Sequence, residues 1–223
     1  MRSNSQNQTN YFGQKSVIPY IIALNAVVYV AWVLAGKNEM RVDFMSAHFL
    51  VSWQALTEGR LWTLLTSAFS HNLSWHFILN MFVLNSFGRI TELTIGRRRF
   101  IQFYLVAAIV SSFGHAFVSN YFLNEPELPA LGASGAISAV ILLFSLFYPR
   151  EKILILGLIP LPALTGALVF VGLDIWGLFS QIEGGGLPIG HGAHLGGALT
   201  GVVYFFWLRR QMRAQFRRQI DNE

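Results

Sequence analysis

The sequence predicts an all-α, polytopic membrane protein built as a six-transmembrane-helix bundle. Three observations carry that expectation. Of the 223 residues, 53% are hydrophobic and only 12% charged, against about 25% charged in soluble domains. Mean hydropathy is +0.47. The apolar residues gather into six runs, each near the ~20 residues that an α-helix needs to cross a bilayer.

The runs are residues 17–36, 75–90, 100–120, 130–148, 163–180 and 190–208. The polar stretch 1–16 precedes them and lacks the charged, apolar, small-residue order of a cleavable signal; it is expected to be a flexible tail. The six runs form the domain 17–208, and 209–223 a basic tail. Between the first two runs, residues 37–74 are rich in aromatics. Met45, Phe49, Trp53 and Leu56 recur there at helical spacing, which predicts one helix lying in the membrane interface. Residues 153–162, broken by Pro160 and Pro162, read as a lead-in to the fifth run. No internal repeat of the inverted-halves kind is evident.

Charge orients the bundle. The net charge of +5 sits in short clusters at the ends of the apolar runs, as the positive-inside rule requires, and does not mark a nucleic-acid surface. With the N-terminus inside, 13 of the 16 basic residues fall inside, and Lys37, Arg41 and Arg60 outside. A bacterial inner (plasma) membrane with both termini cytoplasmic is the expected location. Cysteine is absent, which excludes disulfides, thiolate metal sites and a cysteine nucleophile.

Polar groups within a bilayer are costly and mark function. Counted from the basic ends of their helices, Ser134, His194 and His76 all lie 13 or 14 residues in, roughly 20 Å at 1.5 Å per residue. Asn80 is one turn deeper than His76 on the same face. Three helices thus bring polar groups to one level, about 10 Å below the far surface of a ~30 Å core. Gly197 and Gly201 follow His194 four residues apart, the small-xxx-small pattern of close helix contact. An imidazole within hydrogen-bond reach of a serine can take its proton.

Gly132-Ala133-Ser134-Gly135, Ala193-His194-Leu195-Gly196-Gly197 and His76-Phe77-Ile78-Leu79-Asn80 together resemble the rhomboid intramembrane proteases, over roughly residues 17–208. The flavour of Ser70-His71 through Val83 is similar to the branch that includes mitochondrial rhomboids, although the extra N-terminal helix of that branch is expected to be lacking. The resemblance implies a rhomboid-like bundle and a serine endopeptidase that cleaves transmembrane segments of single-pass proteins near the outer membrane face. It implies Ser134 as nucleophile and His194 as base, with no third acid. It also implies an oxyanion hole of His76, Asn80 and the Ser134 N–H. The expected partners are the lipid bilayer and transmembrane protein substrates, with no cofactor, metal or nucleic acid; no pattern specifies an oligomeric state. Two positions depart from the family: Thr63 follows Trp62 where arginine is common, and Ser138 stands where an aromatic commonly stacks on the histidine.

The remaining polar residues receive lesser parts. Asp174 is expected to be structural, His191 a polar cap, His115 a packed hydrogen-bonding residue, and His48 and His71 interfacial loop residues. Leu187-Pro188-Ile189 is expected to form a flap over the site. A catalytically dead relative that binds membrane clients, and a small transporter using Asp174 and His115, are the competing functions. The presence of both Ser134 and His194 speaks against the first, and the second has only two ionisable groups behind it.

Overall fold

The computed structural model describes residues 15–155 and 159–220; nearly all of the expected N-terminal tail, part of the lead-in and the last three residues lie outside them. Helix α1 (Ile18–Ala35) opens with Pro19 in its first turn, where the missing N–H costs nothing. The Val17 N–H donates to Glu92 Oε1 at 2.9 Å. Short helices follow: α2 (Glu39–Phe49), α3 (Trp53–Thr57) and α4 (Thr63–Thr66). Helix α5 (Ser74–Val83) continues through a π-turn, Leu84–Gly88, into α6 (Arg89–Ile95). Then come α7 (Arg97–Tyr121), α8 (Ser134–Phe147), an antiparallel hairpin of β1 (Lys152–Ile155) and β2 (Ile159–Pro162), α9 (Ala163–Ile182) and α10 (His191–Ile220).

Helices α1, α7 and α9 are long and apolar enough to cross a membrane, and the other three expected runs also fold as helices, consistent with six spans. Large apolar side chains stand outward, among them Trp75, Phe82, Leu173 and Trp176. An apolar surface of that extent fits lipid and not water.

Four boundaries differ from expectation, each for a local reason. The interfacial segment is two helices, not one, because Ser52 caps α3 by accepting from the Ala55 N–H at 3.1 Å. Next to this break Val51 pairs with Ala130, the N–H groups donating at 3.0 and 2.8 Å. That pairing keeps the chain extended as it approaches α8, so the fourth helix starts at Ser134 and not at Ala130. Its 14 residues span about 21 Å at 1.5 Å each, short of a full crossing. The lead-in is a hairpin with Lys152 opposite Pro162, its prolines lying in a two-stranded sheet where strand edges tolerate them. The basic segment expected as a tail continues α10 as far as Ile220.

Helix α10 packs between α7, α8 and α9, and glycine makes this possible. A Cβ on Gly197 would lie 1.8 Å from the Gly135 carbonyl oxygen, and one on Gly201 2.7 Å from that of Ala139. In lipid, helices associate through close van der Waals packing because the solvent is as apolar as they are. Buried Ala136, Ala139, Val140 and Leu143 of α8 meet Phe103, Tyr104 and Ala107 of α7 in the main core.

Candidate active site

The site forms where helices begin. Ser134 is the first residue of α8, His194 the fourth of α10 and His76 the third of α5. First-turn N–H groups of a helix have no partner within it and carry its positive dipole end. No side chain caps α8, so no capping side chain takes up its first-turn N–H groups. Gly132 makes the approach possible: its φ is +125°, and a Cβ there would lie 2.6 Å from His76 Cε1. The Gly132 N–H donates to Ser67 O at 2.9 Å, fixing the turn to the loop before α5.

The Ser134 hydroxyl donates to His194 Nε2 at 2.9 Å. The other face of this link is held by α9. The His194 Nδ1–H donates to Asp174 Oδ1 at 2.9 Å, and the His191 Nδ1–H donates to the same oxygen at 2.7 Å. The Asp174 side chain is 6% exposed. Phe170, one turn before Asp174 on the same helix face, lies against the His194 ring with centroids 5.5 Å apart. Gly177, three residues after Asp174, leaves room for His191: a Cβ there would sit 2.3 Å from His191 Nε2. A single face of α9 therefore fixes both histidines.

The opposite side of Ser134 is built differently from expectation. The Asn80 amide donates to His71 Nε2 at 3.2 Å and to the His76 carbonyl oxygen at 3.0 Å. Both its hydrogens are committed, so Asn80 braces the site in this state and does not point a free donor at it. His71, expected at the interface, is completely buried. Its Nε2 also accepts from the Ala133 N–H at 3.4 Å, and its ring meets that of His76 at 5.0 Å. Burial foremost, then the neighbouring His76, lowers its pKa from 6.5 to about 3. His71 is thus a neutral acceptor joining Asn80 to the residue before the serine.

Other expectations resolve as follows. Asp174 and His191, given structural parts, are bonded to His194 or to its partner. Ser138 donates to the Ser134 carbonyl at 2.8 Å and leaves the histidine's face to Phe170. Arg60 pairs with Glu58 at 2.5 Å, while Thr63 donates to the Arg60 carbonyl at 2.6 Å. The segment 187–189 is tied to α9, with the Gln181 amide donating to Leu187 O and Ile189 O at 2.7 and 2.9 Å. His115 donates to Leu128 O at 3.1 Å. The metal-ligating atoms of Asp174, His191 and His194 lie within 4.8 Å of one another, which is the arrangement that shared hydrogen bonds to one oxygen also produce.

A family model described as the Rhomboid domain matches residues 58–211. RHOMBOID-like protein 12, mitochondrial, of Arabidopsis thaliana is 31% identical over 88% of this chain and 59% of its own length. Presenilin-associated rhomboid-like protein A, mitochondrial, of Danio rerio is 32% identical over 94% of this chain and 54% of its own. Rhomboid protein 1, mitochondrial, of Saccharomyces cerevisiae is 29% identical over 93% and 57%. The chain spans little more than half the length of these relatives. Their mitochondrial names correct the expected location: the bacterial inner membrane does not stand, nor do the cytoplasmic termini inferred with it. The reason is physical, since flanking charge orients helices in a membrane but does not say which membrane. Integration in a membrane stands.

Proposed function

We propose that this chain, which belongs to the rhomboid family, is an intramembrane serine endopeptidase that cleaves transmembrane segments of single-pass proteins near the membrane face opposite its arginine clusters. The observation that carries the reading is the 2.9 Å hydrogen bond from Ser134 to His194 Nε2 at the start of α8. Ser134 Oγ attacks the scissile carbonyl carbon as its proton passes to His194 Nε2. The oxyanion that forms is met by the Ser134 N–H and by His76, whose ring lies on Gly132. Such donors are already in place when charge develops and need no reorganisation. The intermediate collapses, His194 returns the proton to the leaving amine, and an acyl-enzyme remains. Water then enters from the near surface, loses its proton to His194 and releases the acid product, restoring Ser134.

A substrate helix hides its carbonyls in its own hydrogen bonds, so the segment cleaved must unwind locally. The test uses the purified protein in liposomes with a fluorophosphonate probe, which phosphonylates activated serines. Wild type is expected to label at Ser134, and Ser134→Ala and His194→Ala to lose labelling by at least about a thousandfold, in line with serine-triad dissection elsewhere. Full labelling of the His194→Ala protein would sink the reading.

A further inference from the structure

Asp174 is the natural centre of a second question, because the dyad expected from the sequence needs no acid and the structure supplies one. We infer that Asp174, through the Nδ1–H of His194, is a positioning residue for the reaction, and that His191 holds Asp174 in place for it. The inference rests on the serine–histidine reading above and deepens it.

The geometry is a continuous chain. Ser134 Oγ lies 2.9 Å from His194 Nε2, His194 Nδ1 2.9 Å from Asp174 Oδ1, and His191 Nδ1 2.7 Å from that same oxygen. A neutral imidazole carries one proton and one acceptor nitrogen. By accepting from Nδ1–H, Asp174 selects the tautomer in which Nε2 is free to take the Ser134 proton. When that transfer makes an imidazolium, a carboxylate on Nδ1 stabilises the charge in a site shielded from water. Phe170 on the ring face and Asp174 on the ring edge leave the imidazole little freedom to turn.

A carboxylate this buried is unfavourable in a membrane unless donors compensate it. His191 supplies the second donor, and Gly177 supplies the space for the His191 ring. His191 Nε2 has no hydrogen-bond partner among the described residues, so in this structure the polar connection of His191 runs through Asp174. A polar cap facing solvent would look different, because His191 is only 6% exposed.

The test uses the full chain in liposomes. Inactivation by the fluorophosphonate probe is measured for wild type, Ser134→Ala, Asp174→Asn and Asp174→Ala. The amide of Asp174→Asn can give its oxygen to His191 and its NH2 to His194, which forces the proton onto Nε2. The expected result for Asp174→Asn is an inactivation rate constant at least about 100-fold lower with the probe's binding constant and the melting temperature unchanged; substitution of the corresponding acid in a serine triad elsewhere costs up to about 10⁴-fold. Unlabelled wild type would defeat the underlying reading; labelled wild type with Asp174→Asn within threefold of it would defeat this inference alone. If both Asp174 variants fail to fold, the wild type decides. With 15N-labelled histidine, the His194 ring is expected to show its proton on Nδ1, and a proton on Nε2 would overturn the inference. Loss of labelling on adding a chelator, restored by zinc, would also overturn it by assigning the trio to a metal.

Discussion

Replacing Gly197 by alanine tests whether the helix contact, and not just the residue identities, creates the reactive pair. The new Cβ would stand 1.8 Å from the Gly135 carbonyl oxygen, and ordinary contact begins at 3.4 Å, so about 1.6 Å of separation between α10 and α8 is required. The obstacle is backbone on a buried helix, which has no rotamer to adopt. Alanine gains up to about 1 kcal/mol of helix propensity over glycine, while overpacking of this kind costs typically 1–3 kcal/mol, so the clash prevails. Gly197 lies one turn beyond His194 and Gly135 lies next to Ser134. Opening the helices there takes the 2.9 Å bond between Ser134 and His194 beyond hydrogen-bond reach. A misplacement of 1 Å can cost about 100-fold in rate. Fluorophosphonate inactivation should therefore slow by at least about 100-fold, with a lower melting temperature in detergent. Gly172→Ala is the control, since nothing lies within 4 Å of a Cβ there, and it should behave as wild type. A Gly197→Ala protein that inactivates at the wild-type rate would refute the reasoning.

Two further substitutions probe the supports of the site. Phe170→Ala removes the ring facing His194; an aromatic pair is worth about 0.5–1.5 kcal/mol, so the rate should fall roughly 2- to 10-fold, and an unchanged rate would show that Asp174 alone orients the imidazole. His71→Asn addresses acid stability. The folded protein holds the His71 pKa near 3 against 6.5 for a free histidine, so the unfolded chain takes up its proton first, and stability present above pH 6.5 is lost as pH falls toward 3. Melting temperatures taken across that window should fall less in His71→Asn than in wild type, and an equal fall would discount His71 as a titrating group.

How much of this could be read from the sequence depends on whether a residue's meaning is local. Ser134, His194 and His76 are polar residues inside apolar runs, and depth along a helix is a count of residues, so their common level was legible. The glycine pairing of Gly197 and Gly201 was legible for the same reason. Asp174 was not, because its bond to His194 depends on how α9 is rotated against α10 across the intervening turn. A signal existed nonetheless: Phe170, Asp174 and Gly177 recur at helical spacing, placing an aromatic, an acid and a gap on one face. His71 lies in a loop without periodicity, and nothing in its neighbours announces burial. The bond of the Asn80 amide to His71 was hidden for a related reason, since the position of that histidine could not be foreseen. The start of α8 at Ser134, and not Ala130, required the pairing of Val51 with Ala130, a contact made across 79 residues of chain.

The hydrogen bonds of the site divide into two sets, one ending at the Ala133 N–H and the other at Ser134 Oγ. On one side, His71 accepts from Asn80 and from the Ala133 N–H, and Asn80 also holds the His76 carbonyl. On the other, Asp174 gathers His191 and His194, and His194 reaches Ser134. Each set meets most of its own hydrogen-bonding needs, as groups in a low-dielectric interior must. The buried His71 Nδ1 and His191 Nε2 have no hydrogen-bond partner among the described residues. The separation has a chemical consequence. In the reaction proposed above, the first set would govern the donors that receive an oxyanion, and the second where the serine proton goes. Disturbing Asn80 or His71 should then weaken stabilisation of the tetrahedral intermediate while leaving the Ser134–His194 bond intact. Disturbing Asp174 should do the reverse, because the serine stays in place while the imidazole loses the tautomer that can accept its proton.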